Sequence, residues 1–166
     1  MLSDVEALFE TASLAPATDR RITRRIVDAW ARSARGRFPS WEALSARDLG
    51  DDRQWMFAVD LEKSTGFPFF VFVGDKLSKL SDIYLVGEES WTMSLMEKAT
   101  DDIFAAAALE GPHETADTLS LCDGRRIAFR SVTVPLAADG KNVSHIAGVV
   151  YGRLETKREV SLLTVS

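Results

Sequence analysis

The spacing of apolar residues changes period several times along this chain, and the changes divide it into elements. Ser3 and Glu6 form a capping box, and Val5, Leu8, Phe9 and Ala12 follow at helical spacing, so a short helix is expected before Pro16. A stronger helix is predicted over 19–35. Ile22, Ile26, Ala29, Trp30 and Ser33 make a narrow stripe, arginines fill the other face, and Gly36 suits the C′ position. "PSWEALSARDL" reads as a short helix after Pro39. The period then drops to that of strands, at 54–62 and 67–74, with "KSTG" as the turn between them. The second strand is apolar on both faces, which predicts cover from both sides. A short helical segment over 75–85 and a longer helix over 90–110 follow. The longer helix is lined by Leu95, Ala99, Ile103 and Ala106 and stopped at Gly111-Pro112. Three strands close the pattern, at 114–122, 125–136 and 142–155, separated by Asp123-Gly124 and Asp139-Gly140.

This order predicts an α+β domain with helices packed on an antiparallel sheet. The helices between the second and third strands must cross one face. The 19–35 helix is the candidate cover for the other face, from the same chain or from a second copy. If Asp139-Gly140 is a two-residue turn, Leu136 faces Val143, Val134 faces His145 and Val132 faces Ala147.

Composition adds limits rather than a function. The 166 residues fit one domain, with a net charge of −5. Bulk electrostatics therefore attract neither nucleic acid nor anionic membrane. Residues 19–37 nevertheless hold seven arginines against Asp19 and Asp28, a local charge of +5. One cysteine, Cys122, excludes a disulfide framework and a cysteine-based zinc site, and fits a reducing cytoplasm. The N-terminus lacks a signal-peptide pattern, and no apolar run is long enough to span a membrane.

The candidate chemistry is sparse. His145 shares its expected face with valines, where a histidine is a half-buried core residue or touches a ligand. His113 is expected in a loop, and the two histidines and one cysteine form no triad. In "RRIAFRSVTVPL" the apolar phase flips near Arg130-Ser131, so either a β-bulge lies there or both faces are covered. Arg130 could then meet an anionic ligand. The arginine helix reads as a solvated face, as a dimer seam around Ile22, Ile26 and Trp30, or as a surface for an acidic partner through Arg21 and Arg25. No aromatic platform or helix-turn-helix accompanies it, which argues against nucleic acid. The aromatic side chains could pack a core or line an apolar pocket.

The stretches "WARSARGRFPSWEAL", "FVFVGDKL" and "VPLAADGKNVSHIAGVVYGR" fall within residues 30–153 in an element order that resembles PAS sensory domains, and more narrowly the small alphaproteobacterial PAS proteins. The resemblance implies a PAS-like five-stranded antiparallel sheet with a helical crossover and N-terminal helices. It implies N-terminal helices over 1–37 as a dimer or partner element, a PAS-like domain over 38–155 and a tail over 156–166. It further implies a stand-alone, non-enzymatic cytoplasmic regulator that forms a homodimer or contacts a signalling protein such as a histidine kinase. A small ligand between sheet and crossover helices would touch Phe57, Phe72, Trp91, Ile103, Phe129, Arg130 and His145. PAS haem proteins use a histidine on the crossover, and residues 75–110 contain none. The asparagine-cysteine-arginine motif of covalent flavin photoreceptors is absent too, so haem and covalent flavin are not expected. The rival is a small enzyme resembling ketosteroid isomerase, a cone-shaped α+β fold with an apolar pocket, for which Asp60 or Asp117 would supply the carboxylate.

Overall fold

The structure, a computed structural model, describes residues 18–34, 36–79, 84–86, 92–94, 97, 100–101, 103–120 and 124–154. The helix expected before Pro16, Trp91, Leu95, Ala99, Cys122 and the 156–166 tail lie outside the described residues.

Helix α1 spans Thr18–Ser33 and α2 spans Trp41–Ser45. The hydroxyl of Ser40 caps α2 by accepting a hydrogen bond from the Ala43 N–H at 3.1 Å. A 3-10 turn, Gly50–Trp55, feeds β1, Met56–Asp60. Next come β2 (Phe69–Val73), α3 (Asp75–Lys79), β3 (Tyr84–Val86), β4 (Thr92–Ser94) and α4 (Ile103–Ala108). The last strands are β5 (His113–Ser120), β6 (Arg126–Leu136) and β7 (His145–Leu154). Five strands pair antiparallel in the order β2-β1-β7-β6-β5, with β3 and β4 as a separate ribbon.

The order arises because the β1-β2 pair and the three-stranded β5-β6-β7 meander meet through β1 and β7. Asp60 lies opposite His145 and Met56 opposite Val149. Successive side chains alternate between the two faces. One face carries Met56, Ala58, Val132, Val134, Leu136, Ala147, Val149 and Tyr151. Helix α1 lies on this face: the Thr23 hydroxyl donates to Glu114 at 3.1 Å, and the Trp30 indole N–H donates to the Pro135 carbonyl at 2.7 Å. Ile22 and Ile26 are buried against the sheet. The cover is therefore supplied by the same chain. The opposite face carries Phe57, Val59, Ile127, Phe129, Ile146 and Val150, all buried as well. The β2-to-β5 crossover passes there, and α4 turns Ile103 and Ala106 inward and contacts β6 and β7.

Several details differ from the pattern-based expectation. The span 90–110 is not one helix: Thr92–Ser94 is a strand that pairs with the β-prone Tyr84–Val86, Leu85 opposite Met93, while Glu97 and Ile103–Ala108 are helical. Strand β2 is an edge strand rather than a doubly covered one, and Phe67, Phe69 and Val71 are 84%, 46% and 41% exposed. Its apolar run reflects an uncovered edge, a case that apolar content alone does not distinguish from a central strand. Helix α1 ends at Ser33, so Gly36 falls past its C′ position and does not cap it. A Cβ added at Gly36 would stand 3.0 Å from the Gly140 carbonyl oxygen. Gly36 is the point where the α1–α2 connection meets the β6–β7 loop. His113 opens β5 instead of sitting in a loop, opposite Thr133. The phase flip in β6 is not a bulge. The register with both neighbours is continuous, and Ser131 to Leu136 is buried on both faces.

The β6–β7 register also moves. Leu136, not Val134, stands opposite His145. The loop is longer than two residues because polar groups organise it. Asp139 accepts hydrogen bonds from the Lys141 and Asn142 N–H groups, each at 2.8 Å. The Ser144 N–H donates to the Leu136 carbonyl at 2.9 Å. The shift is an even number of residues, so His145 keeps the expected face.

The Asp139 carboxyl is held below the usual carboxylate range, first by the Asn142 N–H and then by the Lys141 N–H. A lowered folded pKa means that the stabilisation is present above the unfolded value and is lost as pH falls through the folded one. Asp139→Ala is therefore expected to lower the melting temperature at neutral pH. The gap to wild type should close in acid, as thermal melts across the acid limb will show.

Candidate functional site

The α1 face holds the polar groups with the most defined geometry. His145 opens β7 beside the end of β1. Its Nδ1 is 2.7 Å from the Ser144 hydroxyl, and its Nε2 is 3.6 Å from Asp60 Oδ2. Asp60 Oδ1 also accepts the Lys63 N–H at 3.2 Å, and the Ser144 hydroxyl oxygen accepts the Ala138 N–H at 2.9 Å. The imidazole thus ties the β1–β2 turn to the β6–β7 loop. That loop also holds the α1–α2 connection, since the Gly140 carbonyl accepts the Arg37 N–H at 2.9 Å and the Phe38 N–H at 3.2 Å.

A groove of about 1000 Å³ lies along α1, floored by Ile22, Leu49, Trp55 and Tyr151. Its rim alternates charges. Arg25 makes a two-pronged pair with Asp52, Nε to Oδ2 at 2.6 Å and the other amine to Oδ1 at 2.7 Å. These hydrogen bonds raise the Arg25 pKa further above its ordinary value, so the guanidinium stays charged at all accessible pH. Lys76 stands 5.5 Å from the Trp55 ring centroid, a cation–π distance, and Trp55 meets Tyr151 edge-on at 5.2 Å.

The candidate residues do not converge on one face. Phe57 and Phe129 sit on the crossover face and Ile103 on α4. Phe72, Arg130 and His145 occupy the α1 face, and Trp91 lies outside the described residues. The Phe57 ring lies over Gly148, where an added Cβ would come within 2.5 Å of it. Phe57 also meets Phe70 edge-on, with centroids 6.2 Å apart. Phe72 stacks at a tilt on Trp41 at 5.4 Å and receives Arg53 at 4.8 Å. Of the interaction candidates, Ile22 and Ile26 are buried in the chain's own core, and Trp30 is half-buried against β6. The side chain of Arg21 lies outside the described residues. Asp60 is engaged by His145 and Lys63, while Asp117 is exposed on β5.

The sequence did not single out Asp52, Tyr151 or the exposed β2 edge. A signal for the first was the acidic "DLGDD" run facing an arginine helix in an acidic protein. The edge carried no such signal, because edge and centre strands look alike until the order is known.

The sheet order, the crossover between β2 and β5 and the helix folded over the opposite face define a PAS-like α+β fold. The cone-shaped class has its helices first and a meander after, an order that this chain does not follow. No protein-family model matches the chain, and no curated protein matches it in sequence. Among solved structures, the chain is similar to the dark structure of the blue-light photoreceptor Aureochrome1 LOV, at 16% identity and a TM-score of 0.45, over 76% of this chain and 91% of that one. It is similar to the LOV domain of the Erythrobacter litoralis EL346 blue-light activated histidine kinase, at 12% identity and a TM-score of 0.40, over 60% and 95%. The PAS domain of Bordetella pertussis BvgS is similar at 15% identity and a TM-score of 0.36, over 67% and 86%. At these values the fold class rests on the strand order and the crossover seen in the chain itself. Among the described residues, no helix is long and apolar enough to cross a membrane.

Proposed function

We propose that this chain is a sensory or regulatory module that works without catalysis, through contacts with other protein chains. One observation carries the reading. The edge strand and the residues just before it leave Phe67, Phe69 and Val71 exposed together around Pro68, an apolar cluster of the kind that marks contact surfaces. Only Lys63 approaches, at 5.1 Å from the Phe69 ring centroid, among the cation–ring contacts of the described residues. The α1 stripe is spent on the chain's own sheet, so the edge replaces it as the contact surface. The occupant in this reading is a second copy, giving a homodimer that docks on a signalling protein such as a histidine kinase in the cytoplasm of an alphaproteobacterium. In this reading the sensory domain is 38–155 with α1 as part of its core, and 156–166 is a tail. A small signal molecule belongs on the crossover side, against Phe57, Ile103 and Phe129.

Sedimentation velocity tests the contact. Wild type should self-associate with rising concentration, and the double variant Phe69→Lys, Val71→Lys should remain monomeric. Because both positions face solvent, its stability should change by less than about 1 kcal/mol. A wild type that stays monomeric, or a double variant that still dimerises, contradicts the reading. Native mass spectrometry of the purified protein tests the ligand: a retained small mass supports it, and a bare chain opposes it.

A further inference from the structure

His145 stands among groups that serve it in both of its charge states. It lies directly opposite Asp60 in the β1–β7 pairing, and the two side chains are only 21% and 14% exposed. Its Nε2 faces Asp60 Oδ2 at 3.6 Å, and its Nδ1 is 2.7 Å from the Ser144 hydroxyl. That hydroxyl oxygen accepts the Ala138 N–H, which leaves its own proton and a second lone pair for the ring. A neutral imidazole with Nε2–H toward Asp60 accepts the hydroxyl proton at Nδ1. A protonated imidazole donates from Nδ1 to the same oxygen. Ser144 thus fits either state by turning its O–H, and protonation adds a charge-assisted pair with the Asp60 carboxylate.

Asp60 is the junction through which that charge reaches the β1–β2 turn. Its Oδ1 accepts the Lys63 N–H at 3.2 Å, and its carbonyl accepts the hydroxyl of buried Ser64 at 2.6 Å. The Ser64 oxygen in turn accepts the Phe69 N–H at 3.0 Å, so the first residue of β2 hangs on Asp60. Beside it, the Leu61 N–H donates to the Ser144 carbonyl at 3.0 Å. Asp60 offers Oδ2 to the imidazole and Oδ1 to the turn, so one carboxylate holds both. The other charges of the flanking segments are turned elsewhere or stand in solvent. The Lys63 ammonium lies over the Phe69 ring, Asp139 accepts the Lys141 and Asn142 amides, Arg37 pairs with Glu110, and Glu62 and Lys141 are exposed. Among the described residues, Asp60 is the ionisable group within ion-pair distance of the imidazole.

We propose that His145 is a proton-sensing site that sets the order of the β2 edge. Uptake of a proton draws the imidazolium onto Asp60, fixes the β1–β2 turn against the β6–β7 loop and strengthens the contact made by Phe69 and Val71. The contact half of this inference rests on the reading of that edge as a dimer surface, whereas the ordering of the turn does not. Histidine is the side chain that changes charge between about pH 5 and 8. The chain's other histidine, His113, opens β5 at the opposite edge of the sheet. The charge pair exists only while the imidazole is protonated and the carboxylate is not, so the edge is held more firmly on the acid side of neutrality. The Asp139 carboxyl, held below its usual range, gives up its hydrogen bonds only in stronger acid.

NMR titration of the dilute full chain from about pH 8 to about pH 5.5, with sedimentation velocity at the same values, tests the site. As pH falls, the Lys63 and Phe69 amides should shift together with the His145 ring signals. Their exchange, corrected for the intrinsic effect of pH, should slow about fivefold or more, the size of one partly buried ion pair. Dimerisation should strengthen by a similar factor. His145→Gln cannot take the proton, and Asp60→Asn keeps an acceptor for Lys63 without the charge, so each should abolish both responses. His113→Gln should keep them. The two site variants are independent, so if one fails to fold the other decides. Amide responses absent in wild type, or retained in folded His145→Gln or Asp60→Asn, overturn the proposal. A wild type that dimerises equally at both ends of the range overturns it and leaves the dimer reading standing. A wild type that shows the amide response yet stays monomeric supports the proton site and contradicts the dimer reading.

Discussion

Gly148→Ala is expected to destabilise the protein by about 1–3 kcal/mol, and most of that cost should vanish when Phe57 is also shortened. The reason is local. Gly148 lies in the central strand β7 opposite Phe57 and Thr133, and the Phe57 ring occupies the space of a side chain there. An added Cβ would stand 2.5 Å from the ring and 3.0 Å from the Val132 carbonyl oxygen. Phe57→Leu alone removes contacts from a fully buried ring and opens space over the glycine. Combining the two refills that space. A double-mutant cycle in urea should give a coupling energy of about 1 kcal/mol or more, favouring the double variant over the sum. Simple additivity would show that Phe57 does not fill the glycine's place. Because small domains are stable by only about 5–15 kcal/mol, the single variants should be visibly impaired.

Ile26→Asp should have the larger effect, about 4 kcal/mol or more. Ile26 is fully buried between α1 and the sheet. An aspartate there loses the packing and places an unpaired charge in an apolar layer. Among the described residues, the polar ties that hold α1 to the sheet are Thr23 to Glu114 and Trp30 to Pro135, while Arg25 to Asp52 and Arg47 to Ser33 and the Arg32 carbonyl tie it to the following loops. The helix should therefore release from the sheet before the strands separate. Tryptophan fluorescence supplies the readout, since Trp30 is held by the Pro135 carbonyl and would enter water on release. Ile26→Val, which keeps the apolar contact, should cost only about 0.5–1.5 kcal/mol. Equal stability of Ile26→Asp and wild type would mean that α1 is not a structural cover.

Much of this fold was legible in the sequence. The stripe of Ile22 and Ile26, the short helix after Pro39 and the three closing strands all follow from period and turn chemistry, and each is a local property. What was not legible depended on partners distant in sequence. Thr92–Ser94 carried a helical spacing, but it pairs antiparallel with Tyr84–Val86, and pairing decided the outcome. The Asp139-Gly140 dipeptide resembled a tight hairpin, yet Gly140 also serves Arg37 and Phe38, which requires a longer loop. The site was less legible than the fold. His145 was placed on the face of Val134 and Leu136, but that this face meets α1 rather than the crossover, with Asp60 beside the imidazole, came only with the strand register.

The opening of the β2 edge ties the fold to the proposed role, because α1 closes one sheet face while Phe69 and Val71 stay exposed on that edge. Hydrogen exchange of the full chain at low and high protein concentration tests this most directly. Amides of Phe69–Val73 should gain protection as concentration rises, while those of β7, internal to the sheet, stay equally protected throughout. Protection over Phe69–Val73 that does not change with concentration, together with a gain elsewhere on the surface, would contradict the account.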